Sequence, residues 1–91
     1  TVYLSAASIW EISIKSRRGK VSVSGDFLET VLAQDFLTLA ITPQHAWAER
    51  RLPEIHGDLF DRILLAQALV EGLALATADD VMRGYPVALL R

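Results

Sequence analysis

The sequence predicts an α/β protein with a short, mostly parallel sheet, and three observations support this. Short β-branched and aromatic runs alternate with helical stretches, which is the pattern of parallel strands connected by helices. The 91 residues are enough for one small domain but not for two. Apolar residues make up 52% of the chain, which indicates a compact core rather than a disordered segment.

The first strand and helix are predicted near the start of the chain. Residues 2–4 form a β-branched and aromatic run that is typical of a strand. Ser5 and Ser8 then offer N-caps for a helix. This helix is predicted to end near Arg18, because Gly19 follows it and basic side chains surround its C-terminus.

The middle of the chain predicts two helices with a strand between them. Residues 24–26 open an amphipathic helix, and residues 37–41 are the second strand. Thr42 and Pro43 then start a third helix that continues to Arg50, in the cap-then-proline order that favours helix initiation.

The second half alternates helix and strand closely, which again favours a parallel sheet. After a loop at residues 53–57, the longest apolar helical run of the chain begins at Leu59 and ends at Glu71-Gly72. The remaining predicted elements are a strand at 73–76, a short helix at 77–83 and a last strand at 86–90.

Composition excludes several classes of function. The absence of cysteine removes disulfides, thiolate metal sites and cysteine nucleophiles, and it suits a reducing cytoplasm. No apolar run is long enough to cross a bilayer, and no signal peptide is evident, so we expect a cytoplasmic protein without membrane contact. The formal net charge of −2 means that phosphate recognition requires a local basic patch or a bound cation.

Carboxylates recur near predicted helix starts, at Glu11, Asp61 and the pair Asp79-Asp80. Taken singly, each is explained by helix capping, since acidic residues are favoured in a first turn and Ser8 with Glu11 has the spacing of a capping box. Glu11 also shares a polar ridge with Ser8 and Lys15, which is equally compatible with a solvated face.

Asp61 is the hardest of these to explain by capping. Its helical neighbours Leu64, Leu65 and Ala68 form an apolar stripe, so we expect a partly buried carboxylate that requires a cation or several donors. Arg62 is adjacent in sequence but points about 100° away around the helix, and is therefore not an obvious partner.

Asp79 follows a predicted strand, at the edge where open parallel sheets place their ligand sites. If the three carboxylates converge, all-oxygen ligation favours Mg²⁺ or Mn²⁺ over zinc. Neither His45 nor His56 has a partner at helical spacing, which disfavours a histidine metal site. A Ser-His-Asp triad is disfavoured because no Gly-x-Ser-x-Gly elbow is present.

Several blocks of the sequence resemble PIN domains of the VapC toxin type, in the family's order and over nearly the whole chain. These blocks are VYLSAASIWEISIK at residues 2–15, RGK at 18–20, HGDLFDR at 56–62, LAQA at 65–68 and LATAD at 75–79. Leu59 stands where that family usually has proline, a tolerable change at a first helical position.

The resemblance implies a Mg²⁺- or Mn²⁺-dependent RNA endonuclease of a toxin–antitoxin system. It implies metal-binding, catalytic carboxylates at Glu11, Asp61 and Asp79, with Ser8 and Asp80 as secondary contributors. By the same resemblance Asp58 is a helix N-cap rather than a ligand. Phosphate contacts from Lys15, Arg17, Arg18, Lys20 and Arg62 are a further expectation, although a helix C-terminal cap and a solvated face explain these residues slightly better.

The resemblance also implies a three-layer α/β/α fold from which the family's first, central strand and its aspartate are missing. Residues 1–91 are then a single partial PIN domain, for which we expect upstream residues or compensating association. We accordingly predict that the strands at 2–4 and 37–41 pair, that those at 73–76 and 86–90 pair, and that a gap separates the two pairs. Unpaired edges at such a gap predict a dimer or a strand-exchanged assembly. The missing aspartate removes a ligand from a hard-metal site, which predicts weak metal binding and a weak nuclease.

Two alternatives belong to other classes of function. A catalytically incomplete module for dimerisation or antitoxin binding is favoured by the missing strand, with Trp10, Trp47 and the apolar Phe27-Leu28 face as interface anchors. A receiver-like pocket that accepts a phosphoryl group on an aspartate is disfavoured, because its expected lysine has no match after Asp79.

Overall fold

A computed structural model describes residues 2–54 and 57–83 of the chain. Helices and strands alternate along this part as predicted, and no helix in it is long and apolar enough to span a membrane. The predicted strand at 86–90 lies outside the described residues. The elements are β1 (Val2–Ser5), α1 (Ala6–Arg17), α2 (Phe27–Leu32), β2 (Phe36–Leu39), α3 (Pro43–Ala48) with a 3-10 turn (Glu49–Arg51), α4 (Leu59–Glu71), β3 (Leu75–Ala76) and α5 (Ala78–Arg83).

The three described strands form one parallel sheet in the order β2-β1-β3. The predicted pairing of the first two strands is confirmed, with Val2 opposite Phe36 at the start of the register. The predicted gap is wrong, because β1 also pairs directly with β3, and Leu4 lies opposite Ala76. The physical reason is that edge N–H and C=O groups beside apolar faces need partners, and direct pairing supplies them.

Alternating side chains of the sheet face two separate core clusters. Leu4 and Ala76 pack with Val31 on one face, where Phe27 and Val81 add partly buried surface from α2 and α5. On the other face the buried cluster is composed of Ala7, Leu64 and Leu75, with Tyr3, Phe60 and Ile63 among the residues packed against it. Because successive strand residues point to opposite faces, this distribution places helices on both sides of the sheet.

Side-chain caps fix where the helices begin. Ser5 caps α1 by accepting a hydrogen bond from the Ala7 amide. Thr42 and His45 form a reciprocal capping box at the start of α3. Asp58 caps α4 by accepting from the Phe60 amide at 2.7 Å, which confirms its predicted role as an N-cap.

A buried polar network connects β1, α3 and α4. Gln67 is fully buried, accepts a hydrogen bond from Ser5 Oγ at 2.6 Å and donates to the Ala40 carbonyl at 3.2 Å. Its amide nitrogen also lies 3.2 Å from Nδ1 of the buried His45. Since this Nδ1 accepts from the Thr42 amide, the ring proton is on Nε2, which donates to Glu71 at 2.7 Å.

Candidate metal centre at the carboxyl end of the sheet

The chain topology brings three helices to the carboxyl end of the parallel sheet. Helix α1 starts directly after β1, and α5 starts two residues after β3. Helix α4 ends shortly before β3 begins, so α4 runs back along the sheet and its first turn lies near the carboxyl end of β3. This is the edge at which open parallel sheets bind ligands.

Glu11 lies in the second turn of α1 with only 13% of its side chain exposed. Its carboxylate accepts from Lys15 Nζ at 2.8 Å, one helical turn further along. This hydrogen bond raises the pKa of Lys15 above its ordinary value, against a smaller opposing effect of burial. An ammonium group therefore compensates the Glu11 carboxylate in this structure.

The capping explanation of Glu11 is wrong, because α1 begins at the earlier cap Ser5 and its first turn contains no acidic residue. Ser8 does not cap this helix either. It is fully buried, and its hydroxyl donates to the Ala76 carbonyl at 2.8 Å, which ties α1 to the end of β3. The secondary metal role expected for Ser8 stays a prediction.

Asp61 lies in the first turn of α4 and is exposed, so the expectation of a buried carboxylate is wrong. The apolar stripe that suggested burial does reach the core through Leu64, but Asp61 lies nearly a turn earlier, at the end of the helix. Partial desolvation still raises the pKa of Asp61, and the negative charges of Asp58 and Asp79 raise it further.

Asp79 and Asp80 have different environments in the first turn of α5. Asp79 is exposed, and its charge acts on both Asp61 and Lys15. Asp80 is buried and forms a reciprocal cap with Thr77, accepting from the Thr77 amide and donating its own amide to the Thr77 hydroxyl, both at 3.0 Å. Capping therefore explains Asp80 well, whereas it does not account for the exposed Asp79, whose negative charge raises the pKa of Asp61.

The donor chemistry fits a hard divalent cation, although the ligands are not gathered into a closed site. Glu11, Asp61 and Asp79 supply only carboxylate oxygens. The pKa of Asp61 is raised first by partial desolvation and then by the neighbouring negative charges, which a cation would offset. Within residues 2–54 and 57–83, no three carboxylate or imidazole groups are positioned to hold one metal ion. The predicted ligands thus lie close enough for their charges to interact, but they are not arranged around one metal position.

Basic side chains border a cleft of about 220 Å³ beside this acidic group. Three of the predicted phosphate contacts line it, together with two carboxylates and two apolar residues. The Arg62 guanidinium donates to the Glu49 carboxylate and to the Pro53 carbonyl. These hydrogen bonds disfavour the predicted contact of Arg62 with phosphate. The residues that line the cleft are Glu11, Ile14, Lys15, Arg18, Lys20, Asp58 and Phe60.

The sequence did not predict two features of the structure. The Trp10 and Phe60 rings meet edge to face, with their centroids 5.2 Å apart, and Trp10 remains 54% exposed. The network of Gln67 and His45 was also missed, although a glutamine inside the apolar run of α4 is a signal that could have indicated a buried hydrogen-bond network.

Comparison with known proteins agrees with this architecture. Residues 1–87 match the PIN domain family. No curated protein and no solved structure matches the chain. PIN domains are generally metal-dependent nuclease domains, and they commonly bind divalent metals. The family match spans nearly the whole chain, and the parallel sheet flanked by helices is consistent with it, so the chain belongs to the PIN domain family.

Proposed function

We propose that this chain acts as a VapC-type endoribonuclease that depends on Mg²⁺ or Mn²⁺. The observation that carries the proposal is the shared electrostatic field of Asp61, Asp79 and Lys15 at the carboxyl end of a PIN-family sheet. Glu11 joins this group through its ion pair with Lys15. The three carboxylates are on three different helices, as a site assembled by the fold requires.

The proposed reaction is hydrolysis of an RNA phosphodiester. Water oxygen bonds to phosphorus, the bond from phosphorus to the 3′ oxygen breaks, and the products are a 5′-phosphate and a 3′-hydroxyl. A divalent cation, if bound there, would lower the pKa of a coordinated water and would stabilise negative charge on the phosphate. Glu11, Asp61 and Asp79 are the residues that would hold the cation, and Asp58 keeps the first turn of α4 in place.

Lys15, Arg18 and Lys20 are proposed to hold phosphates that flank the cleavage point. All three line the cleft beside Glu11, and phosphate contacts of this kind fix the register of a nucleic acid without reading its sequence. Local cations are necessary here because the chain as a whole is acidic, with a formal net charge of −2.

Cleavage of end-labelled single-stranded RNA in Mn²⁺ or Mg²⁺ tests the proposal. Asp61→Asn, Glu11→Gln and Asp79→Asn should each lower the rate by at least about 100-fold, because each removes charge from the site that stabilises the reacting phosphate. Asp35→Asn is the matched control, since Asp35 is exposed and precedes β2 at the opposite end of the sheet.

Analysis of the products adds a second criterion, because the proposed reaction leaves 3′-hydroxyl ends. Cleavage that survives Asp61→Asn, or that leaves a cyclic 2′,3′-phosphate, would contradict the proposal and would indicate a contaminating or metal-independent nuclease.

The toxin–antitoxin role adds proposed partners and a proposed location. We propose that a cognate antitoxin protein binds this chain, that the chain forms a homo-oligomer, and that it acts in the cytoplasm. Leu28, Leu32 and Trp47 expose apolar side chains, which are suited to contacts with an antitoxin or a second copy of the chain. Co-purification with the protein encoded beside it, followed by mass measurement, tests this part.

One observation favours an alternative, in which the chain is a catalytically incomplete module for dimerisation or antitoxin binding. In the part of the chain that the structure describes, no three ligand side chains are gathered at one point. Calorimetric titration with Mn²⁺ separates the two functions. Binding that Asp61→Asn weakens favours the nuclease, whereas undetectable binding together with inactive protein favours the module.

A further inference from the structure

We infer that Trp10 is a stacking platform for a nucleobase of single-stranded RNA, next to the phosphate-binding cleft. The inference rests on the proposed ribonuclease function and assigns to this site a base contact that its carboxylates and cations do not supply. Single-stranded nucleic acid is held by cations that track its backbone together with aromatic rings on which bases stack.

Trp10 lies on α1, next in sequence to residues that line the cleft. Trp10 directly precedes Glu11 and lies one helical turn before Ile14, which lines the cleft. Phe60 lines the same cleft from α4 and contacts the Trp10 ring. The indole is therefore connected to the cleft through Phe60, which lines the cleft and contacts the Trp10 ring.

The ring is both available and held in place. More than half of the Trp10 side chain is exposed, at 54%, which is large for an apolar residue of this size. Its interplanar angle of 85° with Phe60 is that of a stable edge-to-face pair. A ring that is already oriented loses little conformational entropy when a base stacks on it.

Charge complementarity favours RNA over an apolar protein partner as the occupant. Three cations, Lys15, Arg18 and Lys20, outnumber the two carboxylates that line the cleft, and Phe60 of the same cleft contacts the Trp10 ring. This is the combination that binds a stacked base and its flanking phosphates.

Trp47 is a natural internal control. It is 68% exposed, but the Arg50 guanidinium lies 4.3 Å from its ring centroid and covers one face. Its helix α3 contacts Glu71 through His45, at the end of α4 opposite to Asp61. Ten residues of helix separate Asp61 from Glu71, a rise of about 15 Å.

Fluorescence of single-tryptophan variants tests the inference without requiring cleavage. Trp47→Phe leaves Trp10 as the reporter and Trp10→Phe leaves Trp47, since the chain has two tryptophans. Short single-stranded RNA, titrated in the presence of a chelator, should quench Trp10 in a saturable manner and should leave Trp47 unchanged. Equal quenching of both tryptophans, or of neither, would overturn the inference.

Affinity measurements then separate stacking from simple contact. Trp10→Leu keeps an apolar side chain against Phe60 but removes the aromatic face, and it should weaken RNA binding by between about 5-fold and 150-fold. Trp10→Phe should keep most of the affinity, and Trp47→Leu should bind as the parent protein does. The melting temperature of each variant is measured to check that its fold is retained.

Two further measurements make the outcome specific. An RNA with abasic sites should bind equally well to the parent and to Trp10→Leu. Lys20→Ala should reduce the salt dependence of binding by roughly one counterion, whereas Trp10→Leu should leave that dependence unchanged.

The possible failures are distinguishable from one another. RNA binding and Asp61-dependent cleavage with unchanged affinity in Trp10→Leu would overturn this inference alone. No RNA binding by any variant would overturn the proposed function as well. If Trp10→Leu lowers the molecular mass measured by sedimentation and leaves RNA affinity unchanged, Trp10 lies in an interface between proteins and does not stack on a nucleobase.

Discussion

At the scale of single residues, Asp61 shows how a proposed metal ligand opposes stability. It is exposed, yet partial desolvation and the charges of Asp58 and Asp79 raise its pKa. A group whose pKa is higher in the folded state favours folding when it is protonated, and this contribution is lost as pH rises through the folded pKa. At neutral pH the ionised Asp61 therefore opposes folding.

Asp61→Asn should consequently stabilise the metal-free protein at pH 7, by on the order of a few tenths of a kcal/mol, because solvent screens an exposed charge. The advantage should shrink as pH falls below the folded pKa of Asp61, where the wild-type carboxyl is also neutral. Thermal melting in a chelator from pH 3.5 to pH 7.5 measures it.

Mn²⁺ should reverse the order of stability, because a cation that binds only the folded wild-type protein stabilises it by mass action. Asp35→Asn serves as the charge-matched control and should behave as the wild type does. A metal-free Asp61→Asn protein that melts below the wild type at pH 7 would show that Asp61 has a structural partner instead.

At the scale of elements, the first turn of α4 separates a capping aspartate from a proposed ligand. Asp58 accepts from the Phe60 amide at 2.7 Å and from the Asp61 amide at 3.3 Å. Asp58→Ala should destabilise the protein by about 1 kcal/mol, whereas Asp58→Ser keeps an N-cap acceptor and should be close to neutral.

RNA cleavage completes the comparison at this turn. Asp58→Ser should retain activity, and Asp61→Ser should lose it. Inactive Asp58→Ser protein with wild-type stability would show that the Asp58 carboxylate itself takes part in the site. Chemical denaturation and cleavage of the same preparations provide both measurements.

The buried network joins elements that the apolar core alone does not fix. Gln67 is fully buried and makes contacts with Ser5, Ala40 and His45. Gln67→Ala should destabilise the protein by about 2–4 kcal/mol, because it leaves a cavity and buried groups without partners. For a domain of this size, that corresponds to a melting temperature lower by well over about 5 °C.

Gln44→Ala is the matched control for Gln67→Ala, because Gln44 is an exposed glutamine in α3. It should have a melting temperature close to that of the wild type. If Gln67→Ala is equally harmless, the network does not hold β1, α3 and α4 together.

At the scale of the whole molecule, self-association needs a different cause from the one that the sequence suggested. The expected gap between half-sheets does not exist, since β1 has a partner on both sides. Among the described strands, β2 pairs on one side only, and its Leu37 is 50% exposed. An exposed edge strand of this kind is a template for pairing with a second chain.

Leu37→Lys should therefore convert an oligomer into a monomer while the fold is kept, because charge on an edge strand opposes pairing. Leu69→Lys adds the same charge on the exposed face of α4 and should leave the mass unchanged. Light scattering over a wide concentration range measures both. A wild-type protein that is monomeric throughout, or a Leu37→Lys protein that stays oligomeric, would contradict this prediction.

The local features of this protein follow from patterns in its sequence. Turn and cap residues mark where helices start, so the boundaries of α1 and α4 were predicted closely, while the capping role of Asp58 was implied by the family resemblance. Alternation of helix and strand predicted the parallel sheet, which in turn indicated the edge where the carboxylates lie. These features depend on neighbours in sequence, and therefore local patterns encode them.

Contacts between residues far apart in sequence follow from the packing of the folded chain. Pairing of β1 with β3 depends on contacts between residues far apart in sequence, and the need to satisfy edge hydrogen bonds overrode the predicted gap. The exposure of Asp61 likewise depends on where the core ends along α4, which helical periodicity does not specify. Burial and strand order arise from packing of the whole chain, because each element is covered or paired by residues that its own sequence does not contain.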